Sequence, residues 1–201
     1  MRSMPDEGAL PVDSVILGID AQTRVIGFAL VELNGAPVLA DHVMMSGEGA
    51  LEHQIADVLD RVIATAAPYT VRAVVVERVG GGRGVQSMLA VANAAGITAG
   101  ILACHYPAAT MFRPTPGVWK KAAGLPGNAT KDALRNAARL WAPELDTDDM
   151  RQDAVDALGI AISEARTINA AMGAENDATG SDLRASEGPG NGAVPLWMEG
   201  P

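Results

Sequence analysis

Cysteine is almost absent from this chain of 201 residues: Cys104 stands alone, which excludes an intramolecular disulfide and any site built from several thiolates. It is expected in the core, near a helix end. Histidine is scarce as well. His42, His53 and His105 show no metal-ligand spacing, so none is assigned to catalysis, and His105 is read as a cap or surface residue. No stretch approaches about 20 uninterrupted apolar residues. The opening MRSMPDEGALP has acids and a proline where an export signal needs a basic region and then an apolar one. A soluble, unexported protein with no membrane partner is expected. A nucleotide-binding phosphate loop is also missing, because Gly80-Gly81-Gly82-Arg83-Gly84 completes neither G-x-x-x-x-G-K-[ST] nor G-x-G-x-x-G.

What is there suits one domain with a substantial core, since 48% of the residues are hydrophobic. Residues 1–13 read as a disordered leader, 14–168 as the domain, and 169–201 as a disordered, acidic, Gly- and Ala-rich tail. Patterning predicts three strands, Ser14 to Ala21, Val25 to Leu33 and Pro37 to Ser46, joined by turns at Gln22-Thr23-Arg24 and Asn34-Gly35. An amphipathic helix from Ala50 to Ala66 precedes a short buried strand, Arg72 to Glu77. After the glycine loop come a helix from Val85 to Ala103, a strand from Thr110 to Arg113 and a short helix starting at Pro116. Thr130 is placed to cap a helix that runs to Trp141, and a last helix spans Met150 to Ile168. This order predicts an α/β fold with a mixed five-stranded sheet, three strands antiparallel and the later ones parallel, flanked by helices.

Four carboxylates stand out against that frame. Asp20 ends the apolar run of VILGIDAQ, Glu77 ends AVVVERVG, and Asp153 and Asp156 lie in RQDAVDALGIA. Two strands thus deliver hard oxygen ligands to a sheet edge, where burial alone disfavours charge. The i, i+3 spacing puts Asp153 and Asp156 on one face of an otherwise apolar helix. Taken singly, each acid reads as an ordinary strand-end or helix-surface group. Jointly, they need a cation, and divalent metal serving phosphodiester cleavage is the chemistry that such a cluster suits. Asp146, Asp148 and Asp149, just before the last helix, are read as capping or solvated residues.

A formal charge of −9 sits badly with a nucleic-acid binder, but its distribution softens the conflict. Between residues 167 and 201 five acids face only Arg184, a local charge of −4, and the four proposed ligands account for as many again. The three lysines, Lys120, Lys121 and Lys131, share one segment with Arg113, Arg135 and Arg139, opposed there only by Asp132. Such a patch suits a phosphate backbone, and Arg83 in the glycine loop is a further candidate; a solvated helix face and a plain hinge are the alternatives. The helix from Val85 is rich in small residues, with Gly96 and Gly100 among alanines, which suggests close backbone approach, helix on sheet or helix on helix; a symmetric dimer packed through this helix is the hypothesis. VPLWM near the end of the tail is a candidate docking peptide for an unidentified protein.

With these residues in hand, the chain resembles the RuvC-like Holliday junction resolvases of the RNase H-like superfamily, especially their phage-type and organellar relatives. The likeness spans most of Val15 to Arg166. Asp20 after Gly18-Ile19, Glu77 at a strand end, and Asp153 three residues before Asp156 match the family's acids, and Pro116-Gly117-Val118-Trp119-Lys120-Lys121 followed by Lys131 resembles its basic stretch. The resemblance implies an RNase H-like fold. It implies an endodeoxyribonuclease that makes paired nicks in four-way DNA junctions, in recombination and repair or in phage DNA processing, leaving 5′-phosphates. Two Mg²⁺ ions about 4 Å apart, replaceable by Mn²⁺, would be held by Asp20, Glu77, Asp153 and Asp156. Lys120 and Lys131 would stabilise the transition state, and Arg83, Arg113, Lys120, Lys121, Lys131 and Arg135 would contact DNA. A homodimer in the cytoplasm of a bacterial or phage-infected cell completes the expectation.

One departure is clear. The bacterial resolvases have an aromatic wedge shortly after the catalytic Glu, where this chain has Val79, Gly80 and Gly81. That keeps a broader flap or branched-DNA nuclease of the same fold open as an alternative. A non-catalytic junction-binding protein is a second alternative, although it leaves four acids unexplained. An actin-like ATPase or sugar kinase also begins with Gly-Ile-Asp, but it needs a duplicated domain for which 201 residues lack room.

Overall fold

The computed structural model describes residues 13–79 and 84–185. One mixed sheet is built around β1 (Ser14–Ala21). On one side β1 pairs antiparallel with β2 (Val25–Glu32), which pairs antiparallel with β3 (Pro37–Met44); on the other it runs parallel to β4 (Thr70–Val76), which runs parallel to β5 (Thr110–Phe112). The helices are α1 (Leu51–Ala66), α2 (Val85–His105), α3 (Pro116–Ala122), α4 (Lys131–Trp141) and α5 (Gln152–Ala185). The expected sheet, with three antiparallel strands and then parallel ones, is the one observed.

Every residue of β1 is buried, as a central strand with helices on both faces requires. Its side chains alternate between two cores. Val15, Leu17 and Ile19 join Ile26, Phe28 and Val74 under α1 and α2, whose Ile55, Leu59 and Leu102 close that side. Ile16 joins Ala29, Val31, Ala73 and Val75 on the opposite face, against Trp119, Leu134, Val155 and Leu158 from α3, α4 and α5. Local signals behave as their chemistry dictates. Gly35 takes a φ of 95° in the turn between β2 and β3, while the Asn34 side chain accepts from the Ala36 N–H at 2.7 Å. Thr130 Oγ1 accepts from the Ala133 N–H at 3.2 Å and caps α4.

Several expectations need correction. Cys104, expected in the core, is exposed in the last turn of α2, because α2 continues to His105 and turns that position outward. The last helix does not stop at Ile168 but runs on to Ala185, through much of what the composition reads as a disordered tail. A helix already nucleated and packed gains one hydrogen bond per residue added, and five alanines between 169 and 185 favour that extension. The leader up to residue 12, residues 186–201 with the VPLWM peptide, and residues 80–83 with Arg83 lie outside the described residues. The 21-residue α2 has the length and composition of a membrane span, yet Val91, Ala94, Ala95, Ala99 and Leu102 are buried within the fold.

Candidate active site

Two glycines determine how the site is assembled. Gly18 in β1 and Gly27 in β2 lie beneath the start of α5: a Cβ at Gly18 would stand 2.5 Å from the Ala157 carbonyl oxygen, and one at Gly27 would run into the Asp153 carbonyl. Only a residue without a side chain lets the helix backbone come this close to the sheet. Asp20, two residues beyond Gly18, points to the same face and pairs across the sheet with Gly27. The first turns of α5, bearing Asp153 and Asp156, are thereby laid over Asp20.

Glu77 arrives from the parallel side. It is the first residue past β4, and its N–H donates to the Ile19 carbonyl at 3.1 Å, so β1 and β4 end together with their acids side by side. All four predicted acids line one open cleft of about 290 Å³, joined there by Lys120 and Lys131. Asp20 is 2% exposed, and the other three are partly buried.

Each acid has one oxygen engaged by a protein donor. Gln22 Nε2 donates to Asp20 Oδ1 at 2.7 Å, Trp119 Nε1 to Glu77 Oε1 at 2.9 Å, and Gln152 Nε2 to Asp156 Oδ1 at 3.0 Å. Arg151 Nε lies 3.4 Å from Asp153 Oδ2. These donors fix the carboxylates in orientation, and Asp20 and Glu77 also share a hydrogen bond. The remaining electrostatics are unfavourable. Burial, then the charges of Glu77 and Asp156, push Asp20 well above the usual carboxylate range, against the opposing bond from Gln22. Burial also raises Glu77, opposed by the Trp119 bond and by Lys120. Asp156 is raised by burial as well, and the Gln152 bond, Lys120 and Lys131 oppose the shift.

Carboxylates that disfavour their own ionisation in this way suit a hard cation, which would compensate their charge. Among the described residues no three acids, histidines or cysteines are gathered closely enough to hold one ion by themselves. Carboxylates spread along an open cleft suit a divalent cation that keeps waters or takes further oxygens from elsewhere.

The basic residues divide. Lys120 Nζ donates to the Ala129 carbonyl at 2.9 Å and sits 5.6 Å from the Trp119 ring centroid, which holds it at the cleft. Lys131 opens α4 on the cleft wall. Lys121 is exposed and borders a neighbouring shallow cleft with Thr115, Gly117 and Asn128. Arg113 is exposed just past β5. Arg135 is directed inward, with its guanidinium donating to carbonyls of the loop before α5. Arg139 pairs with Asp148 at 2.6 Å on the surface, so one of the acids read as capping or solvated is ion-paired and does not line the cleft.

Three functional side chains escaped the reading by residue type: Gln22, Gln152 and the indole of Trp119. Gln152 had a usable signal, since a Gln four residues before an Asp on a helix is placed to bond it. The Trp119 bond spans 42 positions in sequence and had none.

Comparison with known proteins covers the stretch of chain that carries these residues. The family model described as crossover junction endodeoxyribonuclease RuvC matches residues 16–164. A protein of that name from Myxococcus xanthus is 33% identical over 151 residues, covering 73% of this chain and 78% of its own length. Another, from Beijerinckia indica subsp. indica, is 30% identical over 154 residues, covering 75% of this chain and 86% of its own. The structure of T. thermophilus RuvC in complex with Holliday junction substrate superposes with a TM-score of 0.63 at 21% identity, over 80% of this chain and 96% of that one. At that identity the structural likeness concerns the fold.

Proposed function

This chain belongs to the RuvC family of crossover junction endodeoxyribonucleases, the Holliday junction resolvases, and we propose that it makes paired, symmetric nicks in four-way DNA by two-metal-ion hydrolysis at the cleft. The observation that supports this most is the convergence of Asp20, Glu77, Asp153 and Asp156, drawn from β1, the end of β4 and α5, with Lys120 and Lys131 in the same cleft. When bound, two Mg²⁺ ions, or Mn²⁺ in their place, would activate water and offset charge on the leaving 3′ oxygen.

The chain's own groups do the rest. Asp20, Glu77 and Asp156 are held by Gln22, Trp119 and Gln152, so the carboxylates are oriented before substrate arrives. Lys120 is fixed by the Ala129 carbonyl and lies against Trp119, so its ammonium is set in place to stabilise negative charge that builds on the phosphoryl group, with Lys131 beside it. Lys121 and Arg113, both exposed, would follow the backbone of a junction arm. The products would carry 5′-phosphates.

A symmetric dimer would set two such clefts across a two-fold junction. Its support is the outer face of α2, where Val85 and Leu89 are 67% and 60% exposed and a Cβ at Gly96 or Gly100 would meet nothing within 4 Å. The bacterial sources of both sequence relatives favour action in the cytoplasm of a bacterial or phage-infected cell. The absence of an aromatic residue at Val79 favours a second reading, a nuclease with wider tolerance for branched DNA. Cleavage of labelled four-way junction, flap and duplex in parallel separates the two. Nicking confined to the junction supports a resolvase, and equal cutting of flaps supports the wider nuclease.

A further inference from the structure

Arg135 belongs to the basic segment by sequence, but in the structure it is half-buried and turned toward backbone carbonyls. It lies in the middle of α4, and its Nη1 donates to the carbonyl oxygens of Thr147 at 2.5 Å and Met150 at 3.0 Å, with a longer approach to that of Asp148 at 3.4 Å. Its Nη2 faces Gln152 Oε1 at 3.5 Å. Gln152 in turn donates Nε2 to Asp156 Oδ1 at 3.0 Å. The carbonyls that Arg135 gathers belong to the loop that delivers the first residue of α5, and the first turns of that helix present Asp153 and Asp156 to the cleft.

The direction of this chain of contacts follows from the groups themselves. A guanidinium has donors only, whereas a primary amide has an acceptor end and a donor end. Arg135 therefore attracts the oxygen of Gln152, which leaves the amide nitrogen for the Asp156 carboxylate. With the amide reversed, its NH₂ would face the guanidinium and its oxygen would face a carboxylate oxygen. Both contacts would be repulsive. A guanidinium spent on three backbone carbonyls is also poorly placed to reach a phosphate.

We propose that Arg135 is a positioning residue for Asp156, acting through Gln152 and the loop of residues 147–150, and is not a contact to the DNA backbone. The inference rests on the reading of Asp156 as a metal ligand. Its test uses the full chain as wild type, Arg135→Gln and Gln152→Met, with two measurements: Mn²⁺ binding by electron paramagnetic resonance, and metal-free binding to a four-way junction across a salt series. Both variants are expected to bind Mn²⁺ roughly 10-fold or more weakly, as is usual when a group orienting a ligand is lost. The slope of log affinity against log salt for Arg135→Gln should match the wild type, whereas a lost phosphate contact would lower it by about 0.9. A slope lowered by that amount overturns the proposal whatever the metal affinity. Should Arg135→Gln fail to fold, Gln152→Met decides alone, since it keeps Arg135 on the loop carbonyls; unchanged Mn²⁺ affinity in that variant overturns the relay. A wild-type protein that binds no Mn²⁺ defeats the metal reading of the cleft itself, and this inference with it.

Discussion

Trp119 donates its indole N–H to Glu77 Oε1 at 2.9 Å, while its ring, 1% exposed, lies over Gly159 of α5. A Cβ at Gly159 would stand 2.8 Å from that ring, so the backbone of the helix bearing two of the acids is cleared for the side chain that holds a third. One residue therefore joins packing of the lower core to the orientation of a ligand.

Trp119→Phe keeps an aromatic ring and removes the donor. The bond lowers the Glu77 pKa against burial, so its loss lets that pKa rise further. The acid limb of the pH–rate profile should move to higher pH, and folding stability should fall by about 1–2 kcal/mol in the presence of metal. Rate measurements across pH, together with urea melts, check both effects.

Without metal, the cleft acids should make stability fall as pH rises. Asp20, Glu77 and Asp156 all have raised carboxyl groups, so between the ordinary carboxylate range and their folded values the native state binds more protons than the unfolded chain. The slope of stability against pH is then negative in that window. Each unit of elevation costs about 1.4 kcal/mol once the group is ionised. Thermal melts in EDTA should show lower Tm at neutral pH than near pH ~5, and saturating Mg²⁺ should flatten the trend.

Asp20→Asn should make the metal-free protein more stable at neutral pH, because it removes the most deeply buried of these charges while leaving a side chain of similar size. A melt in EDTA that shows the Asp20→Asn protein less stable than the wild type would count against a cleft held under electrostatic repulsion.

Gly27→Ala places a methyl group against the Asp153 carbonyl. Overpacking of this kind costs about 1–3 kcal/mol or displaces backbone. Here the displaced backbone carries ligands, so cleavage should fall by more than the loss of stability explains. Denaturant melts alongside single-turnover rates measure both effects.

The outer face of α2 gives the last prediction. Light scattering should give twice the chain mass of 20.7 kDa, and Leu89→Glu should return it to one chain. The monomeric variant should still nick a junction but lose the pairing of its two cuts.

How far the fold and site could be read in advance depended on the range of each signal. The acids were legible because each sits in a local pattern: an apolar strand run ending in a carboxylate, or an i, i+3 pair on an apolar helix. The order of strands and helices along the chain followed from turn residues and run lengths. The bonds of Trp119 to Glu77 and of Arg135 to the loop before α5 depend on how α3, α4 and α5 stack, which no local pattern encodes. Arg135 and Lys120 look alike in a count of cations, yet Arg135 binds the carbonyls of the loop before α5 and Lys120 lines the cleft. The extent of α5 was missed because the apolar pattern ends near Ile168, with residues 169–172 exposed, while the helix itself runs on.

The most direct test is to map the cut sites on both strands of a labelled four-way junction, with Mg²⁺ and with EDTA, for the wild type and Asp20→Asn. The account predicts symmetric, Mg²⁺-dependent nicks bearing 5′-phosphates from the wild type, and from Asp20→Asn binding without cleavage. Cleavage by Asp20→Asn at the wild-type rate, or undiminished cutting in EDTA, would contradict it.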